Sequence, residues 1–219
     1  DRPTGLSNAE VVDQSEVVIF SIPIRETPAV IRSLIPNIRE DQLLMDVTSV
    51  KQPAVDAMLE SRAQVIGLHP MFRPEGSFEG QTVVACPARL HSGHWKTWVV
   101  NMLSSTGAKI KWSTPVEHDG YMTTVQVIPH LANLTSALLI REAEVSVDES
   151  LDFTSPFYRV MFSLMGRLVS HSPSMYTSIV MDNPQTVAML QRRIAIEERL
   201  LRMIRDKDHE SFEQMFVSA

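Results

Sequence analysis

Residues 63–72 read AQVIGLHPMF, and their reading decides the fold. A short, β-rich run that is almost continuously apolar fits a strand covered on both faces. Working outward, the same pattern recurs at 16–24 (EVVIFSIPI), 42–50 (QLLMDVTSV) and 81–86 (QTVVAC), with an edge candidate at Lys109–Ser113. Helix-like stretches Pro28–Leu34, Pro53–Ser61 and His94–Ser105 alternate with these runs. Pro28 and Pro53 stand near first turns, where a missing N–H costs little. The alternation predicts a parallel α/β sheet over residues 1–113.

The pattern changes at Thr114. Thr114-Pro115-Val116-Glu117 has the spacing of a capping box with proline at the first helical position. From there the chain reads as helices only, at 116–143, 154–170, 173–182, 184–206 and 209–216, so residues 114–219 are expected to form an all-α domain. Pro129 cannot donate to the carbonyl of Val125 and predicts a kink beside Gln126 and His130. Long helices rich in Leu, Ile and Met need a partner surface, within the chain or on a second copy.

Composition narrows the function. The chain has 219 residues, 44% hydrophobic and 21% charged, with 20 Lys and Arg against 26 Asp and Glu for a net charge of −6. That balance gives no general basic field for nucleic acid or an anionic membrane surface. Without a signal peptide, a long apolar run or a second cysteine beside Cys86, the expectation is a cytoplasmic chain with no disulfide.

Three strand ends finish in polar or turn-forming residues: Ser21-Ile22-Pro23-Ile24, Asp46 to Lys51, and Gly67 to Phe72. Open parallel sheets bind ligands outside the carboxyl ends of their strands, so these tips are expected to line one crevice. Ser49 and His69 become candidate neighbours, with Asp46 as a further partner. Imidazole accepts a proton from a hydroxyl near neutral pH, which suits His69 to acid/base work. A Ser-His hydrolase is the weaker reading, because no G-x-S-x-G elbow is present. His118 and His130 are twelve residues apart without clustered carboxylates, so no metal site is expected. Arg167, after Gly166 on a strongly apolar helix, is a candidate for a carboxylate ligand. The run from Arg192 to Arg205 reads as a solvated face with i,i+4 pairs.

The motifs VIxSIPI (18–24), DVTSVK (46–51), GLHPMF (67–72), VEHD (116–119), SPFYR (155–159) and GRL (166–168) resemble those of prephenate dehydrogenases, in order and spacing, over essentially the whole chain. The resemblance implies NAD- or NADP-dependent oxidative decarboxylation of prephenate to 4-hydroxyphenylpyruvate in tyrosine biosynthesis. It makes His69 the catalytic histidine and Ser49 the residue that orients it. It places Ser21, Ile22, Pro23, Ile24, Thr48, Ser49 and Pro70 at the cofactor, and His130 and Arg167 at a cyclohexadienyl substrate; Gln126, four residues before His130 on the same helix, and Arg73, at the crevice mouth, are the further substrate-binding candidates. It also implies a homodimer through the helical domain.

Two departures bear on these expectations. Arg73 stands where glycine commonly follows the histidine motif, which keeps arogenate and 4-amino-4-deoxyprephenate open as substrates. No G-x-G-x-x-G occurs, so the nucleotide-binding part is expected to be incomplete, with the first βαβ unit preceding these residues in the encoded protein. The alternative is a non-catalytic regulatory or assembly module that lost the cofactor turn.

Overall fold

The computed structural model describes residues 5–72, 77–91, 93–170 and 172–218. The chain divides into two compact units, residues 1–183 and 184–219. The first unit opens with helix α1 (Asn8–Asp13), capped by Ser7, whose hydroxyl accepts from the Glu10 amide. Then follow β1 (Val17–Phe20), α2 (Thr27–Leu34), β2 (Leu43–Asp46), α3 (Gln52–Leu59), β3 (Gln64–Pro70), β4 (Thr82–Arg89), α4 (Gly93–Ser105) and β5 (Lys109–Trp112). The strands form one sheet in the order β1-β2-β3-β4-β5.

β1, β2 and β3 run parallel, as do β4 and β5. The β3–β4 pair is antiparallel, which corrects the expectation of a fully parallel sheet. Parallel neighbours need a crossover of about a dozen residues or more, and the link 71–81 is too short to supply one.

Side chains alternate across the sheet with period two, so each strand feeds two cores. Val18, Phe20, Leu44 and Val65 pack under α2 and α3 with Ile31, Val55 and Met58. Leu43, Met45, Ile66, Leu68, Val83 and Ala85 pack on the other face with Trp95, Val99 and Leu103 of α4. Each fully buried Leu, Ile or Met contributes about 1.5–3 kcal/mol relative to exposure, and burial on both faces explains why the strands read as unbroken apolar runs.

Helix α5 (Pro115–Met122) starts as the sequence predicts. The Thr114 hydroxyl accepts from the Glu117 amide at 3.2 Å, and Glu117 Oε2 accepts from the Thr114 amide at 3.1 Å. A π-helical turn (Thr123–Val127) then links α5 to α6 (Ile128–Glu142), and the Ile128 amide donates to the Thr123 carbonyl five residues back. The kink expected from Pro129 takes this form: the register widens just before the residue that has no N–H to give. Helices α7 (Val147–Asp152), α8 (Pro156–Val169) and α9 (Pro173–Met181) complete the unit. Helix α7 was not foreseen, although Ser146 caps it by accepting from the Glu149 amide.

The second unit is a pair of helices, α10 (Thr186–Asp206) and α11 (His209–Ser218). Lys207, with φ of 56°, turns the chain after α10. Arg193 pairs with Glu197 at 2.7 Å, an i,i+4 bridge of the kind expected on this face. Among the described residues no helix is long and apolar enough to cross a membrane.

Candidate active site

The titratable residues gather where β2 and β3 end. Asp46 pairs with Gly67 across the two strands, and alternation puts Asp46, Gly67 and His69 on the α3 side. Asp46 forms a fully buried ion pair with Lys51. Its Oδ2 also accepts from the Thr48 amide at 3.0 Å and the Thr48 hydroxyl at 2.5 Å. Gly67 is glycine for a steric reason. A Cβ there would stand 3.0 Å from both Lys51 Cδ and Val55 Cγ2, and 3.1 Å from Asp46 Oδ1.

A second buried carboxylate faces the start of α3. Asp119 Oδ1 accepts from the Lys51 amide at 2.8 Å, and Oδ2 from the Gln52 amide at 2.9 Å. These are first-turn amides with no intrahelical partner, a favourable place for negative charge. Asp119 Oδ1 also lies 2.8 Å from His118 Nδ1. His118 Nε2 in turn lies 2.8 Å from His69 Nδ1, with the rings edge to face at 5.0 Å. His69, His118 and Asp119 are all buried, and His69 is 4% exposed. Burial first, then the neighbouring His118 and Lys51, hold His69 well below the ordinary imidazole range. Burial pushes the Cys86 thiol up to about 12, so it stays protonated at neutral pH.

Two cavities lie nearby in the first unit. One of about 680 Å³ is lined by Ser21 to Glu26, by Val47, Thr48 and Ser49, and by α9 residues including Thr177 and Ser178. The tips of β1 and β2 therefore meet at one crevice, whereas the third expected tip, Gly67 to Phe72, contributes no residue to its lining. The other, about 390 Å³, is mainly apolar, with His130 and Tyr176 packed edge to face at 4.6 Å among Leu131, Leu134, Leu168 and Met181. Pro173 and Thr177 line both. Burial lowers the His130 pKa, favouring the neutral ring.

His69 lines neither cavity; its ring partner is His118, and among the described residues no hydrogen bond joins it to Ser49. Asp46 is engaged by Lys51 rather than by a Ser-His pair. Pro70 closes β3. Gln126 lies in the π turn with its side-chain oxygen buried and without a hydrogen-bond partner. Arg167 is exposed in the last turn of α8 and lines neither cavity. Arg73 lies outside the described residues. Sequence reasoning missed the roles of Lys51 and Asp119, whose signals were a lysine ending DVTSVK and an aspartate directly after His118.

Two family models together match nearly the whole chain. Residues 4–112 match the family model for the prephenate dehydrogenase nucleotide-binding domain, and residues 114–218 the model for the prephenate dehydrogenase dimerization domain. The chain belongs to the prephenate dehydrogenase family. It is 33% identical over 218 residues to a probable arogenate/prephenate dehydrogenase of Methanocaldococcus jannaschii, covering 97% of this chain and 49% of that protein. It is 26% identical to a 4-amino-4-deoxyprephenate dehydrogenase of Streptomyces pristinaespiralis, covering 99% and 73%. The chain spans about half the length of the first curated relatives it matches. The fold is similar to that of the Aquifex aeolicus prephenate dehydrogenase in complex with hydroxyphenyl propionate and NAD+, with a TM-score of 0.73 at 21% identity, covering 97% of this chain and 77% of that one.

Proposed function

We propose that this chain carries the catalytic base and part of the nucleotide site of an NAD- or NADP-dependent dehydrogenase that converts prephenate to 4-hydroxyphenylpyruvate. Residues 1–113 are the nucleotide-binding part and 114–219 the substrate and dimerisation part. The observation that carries this reading is the buried hydrogen-bonded series His69–His118–Asp119 at the end of β3, joined through Lys51 and Asp46 to Thr48 in the lining of a crevice built from the tips of β1 and β2.

The series sets the tautomer of His69. A carboxylate only accepts, so His118 Nδ1 carries the proton directed at Asp119. With His118 neutral, its Nε2 is a lone pair and His69 Nδ1 must donate to it. His69 Nε2 is then bare and able to accept the proton of the substrate's ring hydroxyl. It takes that proton as hydride leaves the carbinol carbon, and returns one to the same oxygen once the ring carboxylate has gone as CO2 and the ring has become a phenol. The proton is borrowed, and the reaction releases none. A depressed His69 pKa keeps the ring in the basic form at neutral pH.

The larger cavity fits a nicotinamide ring. Ile22, Pro23 and Val47 offer apolar surface, Ser21 and Ser49 offer hydroxyls for its amide and ribose, and Thr48 lines the wall with its hydroxyl held by Asp46. When bound there, the nicotinamide supplies the hydride acceptor. His130 and Gln126 are the proposed contacts to the substrate side chain. Arg167 and Arg73 are the proposed carboxylate partners, with Arg167 reaching the site in the homodimer.

A full-length protein assayed for nicotinamide reduction with prephenate, arogenate and 4-amino-4-deoxyprephenate, each with NAD+ and NADP+, tests this reading. Turnover greatest with prephenate is expected. Tight nucleotide binding with no turnover of any of the three contradicts it. No binding and no turnover would support the non-catalytic module.

A further inference from the structure

We propose that Lys51 is a positioning residue that sets both ends of the His69–His118 hydrogen bond, through its side chain at one end and its main chain at the other. The proposal rests on the reading of His69 as the base. Lys51 is fully buried and so cannot touch a ligand in either cavity. Its ammonium reaches across the β2–β3 ends: it is ion-paired with Asp46 and donates to the Leu68 carbonyl at 2.7 Å. Leu68 immediately precedes His69, so this bond adds to the β3–β4 ladder in holding the peptide from which the imidazole projects. The Lys51 amide, with that of Gln52, holds the Asp119 carboxylate that in turn orients His118.

The local chemistry is arranged around this group. Gly67 leaves room for the lysine stem, since a Cβ at position 67 would press on Lys51 Cδ at 3.0 Å. Asp46 is fully buried and lies on the strand adjoining Gly67. Removing the ion pair costs no hydrogen bond to substrate, yet takes away the side-chain bond on the Leu68 carbonyl and leaves the peptide before His69 to the β3–β4 ladder alone.

The experiment compares full-length wild-type protein with Lys51→Met and with the paired Asp46→Leu/Lys51→Met. Lys51→Met strands the Asp46 charge in the interior and is expected to lower the melting temperature. The paired variant removes both charges with side chains of similar shape, which restores stability in other buried pairs. All assays run below the melting temperature of the weakest variant, with folding checked by circular dichroism. The paired variant is expected to regain most of the melting temperature while kcat stays more than tenfold below wild type and KM values move by less than about threefold. In 15N spectra of the histidine rings, wild type should show a coupling between His69 Nδ1 and His118 Nε2 that the paired variant loses. A paired variant that regains both stability and kcat, or that keeps the ring-to-ring coupling, overturns the proposal. The coupling is read without turnover, so a wild-type protein that shows it but oxidises no substrate refutes the dehydrogenase reading alone.

Discussion

His69 is buried, with its ring nitrogen 2.8 Å from that of His118. Its folded pKa lies below its unfolded value, so between the two the unfolded state binds the extra proton. Stability therefore rises with pH through this window and falls as pH drops below about 6.5. His130 adds in the same direction. Urea unfolding should show a smaller unfolding free energy at pH 5.5 than at pH 7, with a shallower pH slope in the variant His69→Asn; equal slopes in the two proteins contradict the assignment. The same shift places the acid limb of kcat/KM below the ordinary imidazole range, and a limb centred at or above pH 6.5 would go against it. Gly67→Ala should destabilise by about 1–3 kcal/mol in urea titrations, because the methyl group meets Lys51 and Val55 at 3.0 Å. A neutral result would mean that the buried ion pair gives way easily.

At the scale of elements, the strand and helix pattern was legible because burial on both sheet faces leaves a direct signature: unbroken apolar runs separated by helices with proline in the first turn. The capping box at Thr114 was legible for the same local reason. The reversal of β4 was not, since its direction depends on the length of the link from β3 rather than on the residues of the strand. The cavity formed by Ser21–Ile24 with Thr48 and Ser49 followed from the rule for strand ends. The partner of His69 did not, because His118 is 49 residues away and reaches it only through tertiary packing of α5. Thr114→Ala tests this dependence. It removes the hydroxyl that caps α5, costs about 1 kcal/mol, and loosens the helix that delivers His118 and Asp119. Loss of melting temperature is expected, together with a weaker His69–His118 coupling; an unchanged coupling would show that α5 is held by its packing alone.

At the scale of the whole molecule, the first unit leaves a row of apolar side chains uncovered on α8. Phe157 is 72% exposed, with Tyr158, Val160, Met161 and Leu164 beside it. A second copy is the proposed cover, in keeping with the match of residues 114–218 to a dimerization domain. Light scattering on the isolated chain should then give twice its 24.6 kDa mass, and Phe157→Ser with Leu164→Ser should give the monomer; a wild-type monomer would remove the proposed route for Arg167 into a site. The proposed chemistry turns on the bare Nε2 of His69. The most direct measurement is kcat for full-length His69→Asn under saturating prephenate and nucleotide. A fall of about 10²–10⁴-fold with nucleotide affinity unchanged is the predicted result, and turnover within about tenfold of wild type would contradict it.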